Sequence, residues 1–555
     1  MDAKKRLGIA FIWHMHQPFY KDPISGKYLM PWVRLHGVKD YFTMAALVEE
    51  FDDVKVTFNL VPALVEQLND YTQADATDTF LDLTLKKASG LTFADKVEIL
   101  SNFFKVNFSN FIEPNARYSE LLLKKGVRPL SGASLKKTVA SFSDQDFLDL
   151  QVLFNMCWFH SISIDDDINL KDIAEKKRRY TEADKEYVIM KQREILAQVV
   201  PLYRKLQDNG RIEITTTPYY HPILPLLCDT SIATVSTPGM ALPKRRFQHP
   251  EDARWHIESA IKYHAEQFGQ APRGMWPSEG SVSDEALDIM ISKGIDWIAT
   301  DEDILTNSLS MYDRKARSFP APFDRRMIYR PYKFKRDSRH LEVVFRDKNL
   351  SDIISFNYNA WDQHDAAWDL IGHFKKVEEN LRRDTDKGIL TIVMDGENAW
   401  EYFRDNGRQF FETLYANLDK EDEICSTTVS EYLELEPAKR AISNIFPASW
   451  INHDFKIWIG EGQDNLSWEY LDRVRKDLVR FTKQFHRSHD PDGSKVTEAW
   501  RSLYIAEGSD WNWWYNGEPR AGKENPFDPL YRTHLKNIYK LLKKPIPDFL
   551  KISIA

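Results

Sequence analysis

Short apolar runs, set apart by longer amphipathic stretches, place the tightest limit on how this chain can fold. Leu7–Trp13, Val54–Asn59, Ile212–Thr216, Arg273–Trp276, Trp297–Thr300, Leu341–Phe345 and Leu390–Met394 read as strands. Near-continuous apolar runs of this length suit parallel strands buried on both faces, with helices covering them. Several runs finish at or near a reactive side chain: His14, Asn59, Glu279 and Asp395. Chemistry collected at strand C-terminal ends is the habit of a β/α barrel, so the expected class is an α/β barrel.

At 555 residues the chain exceeds one compact core. Strand signals nearly vanish between about 70 and 209, which reads as a helical insertion between the second and third strands. Thr181 and Asp184 form an N-terminal cap pattern there, and Pro201 reads as the helix stop. Past about 440 the pattern turns to Trp-rich turns and then to amphipathic helices over Leu471–Phe485 and Leu535–Leu542. The expectation is a catalytic barrel over 1–440 and a C-terminal helical domain over 441–555 that docks on it and contributes to the active site.

A formal charge of −8 offers no general attraction to nucleic acid or anionic membrane. The basic runs Lys177-Arg178-Arg179 and Lys244-Arg245-Arg246 read as solvated surface. Cys157, Cys228 and Cys425 form no CxxC pair, which favours a reducing compartment. Charged residues precede Leu7–Trp13 as in a signal segment, but that run ends at His14 without a cleavage site and reads as a strand. No stretch reaches the roughly 18 apolar residues of a membrane helix. A soluble, cytoplasmic protein without a cofactor is expected, its oligomeric state open.

Two carboxylates stand out. Glu279 follows Gly274-Met275-Trp276-Pro277-Ser278, and Asp395 ends Ile389-Leu390-Thr391-Ile392-Val393-Met394. Carboxylates on separate strand ends suit a reaction that needs one ionised and one protonated group, such as breaking a glycosidic bond. Ser283, Asp284 and Glu285 start a helix whose positive end would favour ionised Glu279, as a nucleophile requires. Asp395 at the end of a buried run should keep its proton, as a general acid must, with Glu397 and Glu401 close enough to exchange roles with it. His14 and His16 project from one face of an extended backbone and could donate hydrogen bonds to sugar hydroxyls. Two histidines are an incomplete metal set, so no metal is expected. Glu213 with His221, and Asp510-Trp511-Asn512-Trp513-Trp514, form weaker clusters, each open to a purely structural reading. Sixteen tryptophans, seven of them from Trp450 onward, supply faces for stacking on sugar rings.

In order, His-x-His-Gln-Pro, Gly-Arg-Ile-Glu-Ile, Trp-Pro-x-Glu, Asp-Gly-Glu-Asn-Ala-Trp-Glu and Asp-Trp-x-Trp-Trp resemble the five signature regions of glycoside hydrolase family 57. The resemblance spans Ile9 to Gly517 and looks most like the amylopullulanase and α-amylase branch. It implies an incomplete (β/α)7 barrel with a helical region after it, and retaining cleavage of α-glucans. By the same resemblance Glu279 is the nucleophile and Asp395 the general acid/base. His14, His16, Glu213, His221, Trp276, Trp511 and Trp513 are expected to bind substrate. The alternatives are a 4-α-glucanotransferase of the same family, a metal-dependent α-mannosidase or deacetylase with a full His/Asp set near His14 and His16, and a non-catalytic glycan-binding protein.

Overall fold

The computed structural model describes residues 6–73, 76–126, 132–315, 323–382, 384, 387–397, 399–487, 493–515, 525 and 527–554. Its centre is β1 (Leu7–Met15), nine residues that are all buried. This strand lies between β2 (Val56–Leu60) and β8 (Ile389–Asp395), parallel to both. The ring continues from β2 to β3 (Ile212–Thr215), and from β8 through β7 (Arg339–Arg346) and β5 (Trp297–Asp301) to β4 (Gly274–Met275). Two seams are thin. Arg346 opposite Thr391 is the one register pair joining β7 to β8, and a single bridge between Thr216 and Met275 links the end of β3 to β4. The result is an incomplete seven-stranded parallel barrel. Its interior is filled by Ile12, Trp276, Trp297, Val344 and Val393, with Tyr432 and Leu433 also in that cluster.

All seven expected strands are present, with no end moved by more than two residues. Three further strands carry no clear apolar signal. β6 (Tyr332–Arg336) forms an antiparallel hairpin with β7, while β9 (Ile424–Ser426) and β10 (Arg440–Ile442) add to β1 and β6. β6 is rich in Lys and Arg because its side chains are only partly covered.

Between β2 and β3 the described chain is helical. Thr181 caps Glu182–Asp208 in a reciprocal box with Asp184, as expected, but the helix does not stop at Pro201 and runs through it. Val199, Leu202, Tyr203 and Leu206 are all buried on this stretch, and burying them outweighs the roughly 3 kcal/mol that an interior proline costs. The insertion is fastened to the barrel side by Arg34, wholly buried, which pairs with Asp78 and donates to Gln192 and Asn155. After β10, Gly462–Arg487, Gly493–Ala506 and Phe527–Leu541 form the C-terminal helices. No helix among the described residues is long and apolar enough to cross a membrane.

Candidate active site

The C-terminal strand ends gather the polar side chains. His14, near the end of β1, lies in register with Asp395 at the end of β8 and with Asn59 on β2. Glu279 follows β4 in the turn Ser278–Gly280, with φ 56° and ψ 28°. That left-handed conformation costs a residue with a Cβ on the order of 1 kcal/mol, and Gly280 follows it at φ 57°. A Cβ on Gly280 would stand 2.8 Å from the Trp276 ring, so the turn is pressed against that indole. At β8 the backbone approach is closer still. A Cβ on Gly396 would lie 2.2 Å from the Met15 sulfur, and Gly396 N donates to His14 O at 2.8 Å.

Glu279 is held by one tryptophan at two points. Trp450 Nε1 donates to its carboxylate at 2.8 Å, and Trp450 N donates to its backbone carbonyl at 3.0 Å. The Trp450 ring packs edge-on to Trp276 and carries the Arg346 guanidinium 5.1 Å from its centre. Arg346 donates to Val393 O, two residues before Asp395, and pairs with Asp301 and Asp352. One arginine therefore ties the strand that carries Asp395 to the ring that holds Glu279.

Burial first, then the neighbouring charge of Asp395, pushes the Glu279 carboxyl up to about 8, with the Trp450 hydrogen bond opposing. This corrects the expectation that a helix end keeps Glu279 ionised. The helix begins only at Asp284, with Ser283 as its cap, so its field is weaker at the carboxylate than burial and Asp395. Glu397 is buried and also driven well above the usual carboxylate range, by burial and then by Asp395. Asp395 itself keeps partial solvent contact.

Three histidines stack beside the carboxylates. His16 and His221 stack with centres 3.9 Å apart and planes 15° apart, and His14 stacks on His221 at 5.2 Å. Burial and the neighbouring His16 lower His14 to about 3, and burial drives His221 well below the usual range, so both are neutral at neutral pH. Asn59 Oδ1 accepts from Thr217 Oγ1, and Asn59 Nδ2 donates to Thr215 Oγ1. The 2.6 Å contact between His14 Nδ1 and Asn59 Oδ1 is then a donation by His14. His14 Nε2 is left as an acceptor, where a donor to sugar hydroxyls was expected. His221 has φ 58° and meets Ser509 Oγ at 2.8 Å, with Nδ1 4.0 Å from Glu279. His16 Nε2 meets Asp510 Oδ1 at 2.8 Å. His16 Nδ1 and His221 Nε2 are buried with no hydrogen-bond partner among the described residues.

His16, His221 and Asp510 thus assemble the ligand types that a metal-dependent reading calls for. Their geometry argues against one. An imidazole binds metal through a lone pair in its ring plane, and two rings stacked face to face cannot both aim at one ion. Asp510 is also already engaged by His16.

The structure therefore brings Glu279, Asp395, His14, His16, His221 and Trp276 together, with Trp276 tilted 6.4 Å from His14. Glu213 is not in this group. It accepts from Trp297 Nε1 and from Ser430, beside the start of β5 and the helix Val429–Leu435, toward the other end of the strands. Its side chain satisfies buried donors there, which corrects the substrate-binding expectation. Trp511 is corrected likewise: it is buried, donates to Ile505 O and packs on Tyr531 and His534. Trp513 is 40% exposed with its ring 6.3 Å from that of Trp458. Asn398 and Gly517, inside the stretch that carries the resemblance, lie outside the described residues. Sequence alone gives Asp510 only as part of the Asp510–Trp514 cluster and Trp450 only as one of seven late tryptophans, with no separate role for either.

The same architecture recurs in solved structures at low identity. A GH57 branching enzyme from Thermococcus kodakaraensis superposes with a TM-score of 0.61 at 15% identity, over 96% of this chain and 90% of that one. An α-amylase from Thermotoga maritima gives 0.57 at 14% identity over 99% and 98%. A 4-α-glucanotransferase from Thermococcus litoralis gives 0.52 at 14% identity over 98% and 60%. No curated protein matches the sequence. The family model for glycosyl hydrolase family 57 matches residues 10–444, most of the chain and all of the barrel strands that bear the site, and the protein is an enzyme of glycosyl hydrolase family 57.

Proposed function

We propose that the protein cleaves α-glucosidic linkages of starch, glycogen or maltodextrin by double displacement with retention, as an α-amylase or amylopullulanase. The observation that carries this reading is the coupling of two carboxyls at strand ends. Burial and then the charge of Asp395 raise the Glu279 carboxyl, so the two carboxyls interact and their protonation steps belong to the pair. Asp395 protonates the departing glycosidic oxygen while Glu279 attacks the anomeric carbon. The deprotonated Asp395 then takes a proton from water, which releases the sugar from Glu279. Trp450 stabilises the ionised nucleophile, and the stack of histidines beside Trp276 offers a wall for a sugar ring.

The family model and the structural neighbours support action on glucans without fixing its type. Those neighbours include a branching enzyme and a glucanotransferase as well as an amylase. Transfer runs the same two steps with a sugar hydroxyl in place of water. Incubation of the wild type, Glu279→Ala and Asp395→Ala with maltoheptaose and pullulan tests the proposal. A net gain of reducing ends that both variants lose is expected. Undiminished cleavage in either variant rejects the assignment of that carboxylate, and longer oligomers without new reducing ends mean transfer.

A further inference from the structure

Away from the paired carboxylates, a groove of about 890 Å³ opens between the helices Pro250–Phe268 and Gly493–Ala506. Its floor is a run of half-buried rings. Trp500 lies 5.8 Å from Tyr504, which stacks on Trp255 at 3.7 Å and 15°. Tyr219 lies 5.9 Å from Trp255 and 5.5 Å from Tyr263. Trp500 is held in place by donating to Thr482 Oγ1 at 3.1 Å. The charges nearby cancel in pairs: Lys262 faces Glu266, and Arg501 is bound to Glu66.

We propose that this groove is a second α-glucan-binding site, separate from the catalytic mouth, which holds several glucose units of the polymer being cleaved. The proposal rests on the α-glucan reading above and names where else that substrate is held. Glucose presents apolar C–H faces ringed by neutral hydroxyls. A floor of aromatic rings edged by Ser259, Thr497 and the tyrosine hydroxyls matches that chemistry. Paired charges leave no net field to attract a phosphate or an acidic peptide. The groove is also joined to the site by the chain itself. Tyr219 and Tyr220 line it, and the next residue is His221, stacked on His16. A polymer held at both places gains by effective concentration, so the groove matters for long glucans and little for short ones.

The test uses the full chain. Maltoheptaose binding is titrated calorimetrically on Glu279→Gln, which blocks turnover, and then on the same background with Thr497→Arg, which fills the groove without removing a packed side chain. Two sites per chain falling to one is the expected result. In otherwise wild-type protein, Thr497→Arg and Trp500→Ala should each raise the KM for glycogen about fivefold to tenfold, with kcat on maltoheptaose unchanged and Trp500→Phe restoring most of the loss. A single site before and after Thr497→Arg, or an unchanged glycogen KM in that variant, overturns the groove while leaving the catalytic reading intact. If the wild type cleaves neither maltoheptaose nor pullulan, the catalytic reading fails and this proposal falls with it.

Discussion

Replacing Trp450 with phenylalanine removes one hydrogen bond and little else. The ring still packs on Trp276 and under Arg346, but Glu279 loses the indole N–H that donates at 2.8 Å. A hydrogen bond to an ionised group contributes about 1.5–3 kcal/mol, and 1.36 kcal/mol corresponds to one pH unit. The Glu279 carboxyl, already at about 8 through burial and Asp395, should therefore rise by a further one to two pH units or so. A nucleophile works ionised, so the rate climbs with pH as Glu279 loses its proton. Trp450→Phe should move that rising limb of kcat/KM to higher pH. The loss is then about tenfold to a hundredfold at pH 6 and narrows as pH rises along that limb. The assay is kcat/KM for maltoheptaose across pH in both proteins. A limb that stays in place, with a loss equal at every pH, would mean that Trp450 contacts substrate or merely packs, and would refute the reasoning.

Other perturbations separate the remaining roles. Glu397 is buried and held well above the usual carboxylate range, so Glu397→Gln replaces a neutral acid with a similarly shaped amide. It should leave activity nearly unchanged and unfolding within about 1.5 kcal/mol of wild type; if Glu397 in place of Asp395 moved the proton, the rate would drop by about two to four orders of magnitude. Dialysis against a chelator should leave cleavage of maltoheptaose unaltered, because the stacked His16 and His221 rings do not converge on an ion; a loss restored by a divalent metal would revive the metal-dependent reading. Arg34→Ala strands a buried Asp78 and should cost about 3–5 kcal/mol in denaturant unfolding, a much smaller loss meaning that the insertion is not fastened there.

How much of this was legible beforehand follows from where the physics is local. The barrel strands were readable because a parallel strand covered on both faces must be apolar throughout, as β1 and β8 are. β6, between β7 and the short β10, escaped because a strand covered on one face can alternate Lys and Arg with Tyr and Phe. Pro201 misled because the cost of an interior proline is local, whereas the burial of Leu202 and Tyr203 that offsets it comes from tertiary packing. In the site, Glu279 and Asp395 could be found because each follows an apolar run at a strand end. Glu213 looked equivalent on β3, but its position along the barrel axis sends it to Trp297 and Ser430. The protonation of Glu279 could not be read from neighbours in sequence, since burial and Asp395, 116 positions away, determine it. Trp450 and Asp510 reach the site through long-range folding of the C-terminal region, and no spacing rule announces such partners.

The central claim is that Glu279 forms the covalent glycosyl-enzyme. A slow α-glucosyl fluoride bearing a second fluorine on the ring, incubated with the wild type and followed by peptide mass mapping, tests it most directly. The account predicts one label per chain on Glu279, absent in Glu279→Gln, and release of product with retained anomeric configuration. A label on Asp395, or inverted product with no labelled carboxylate, would contradict it.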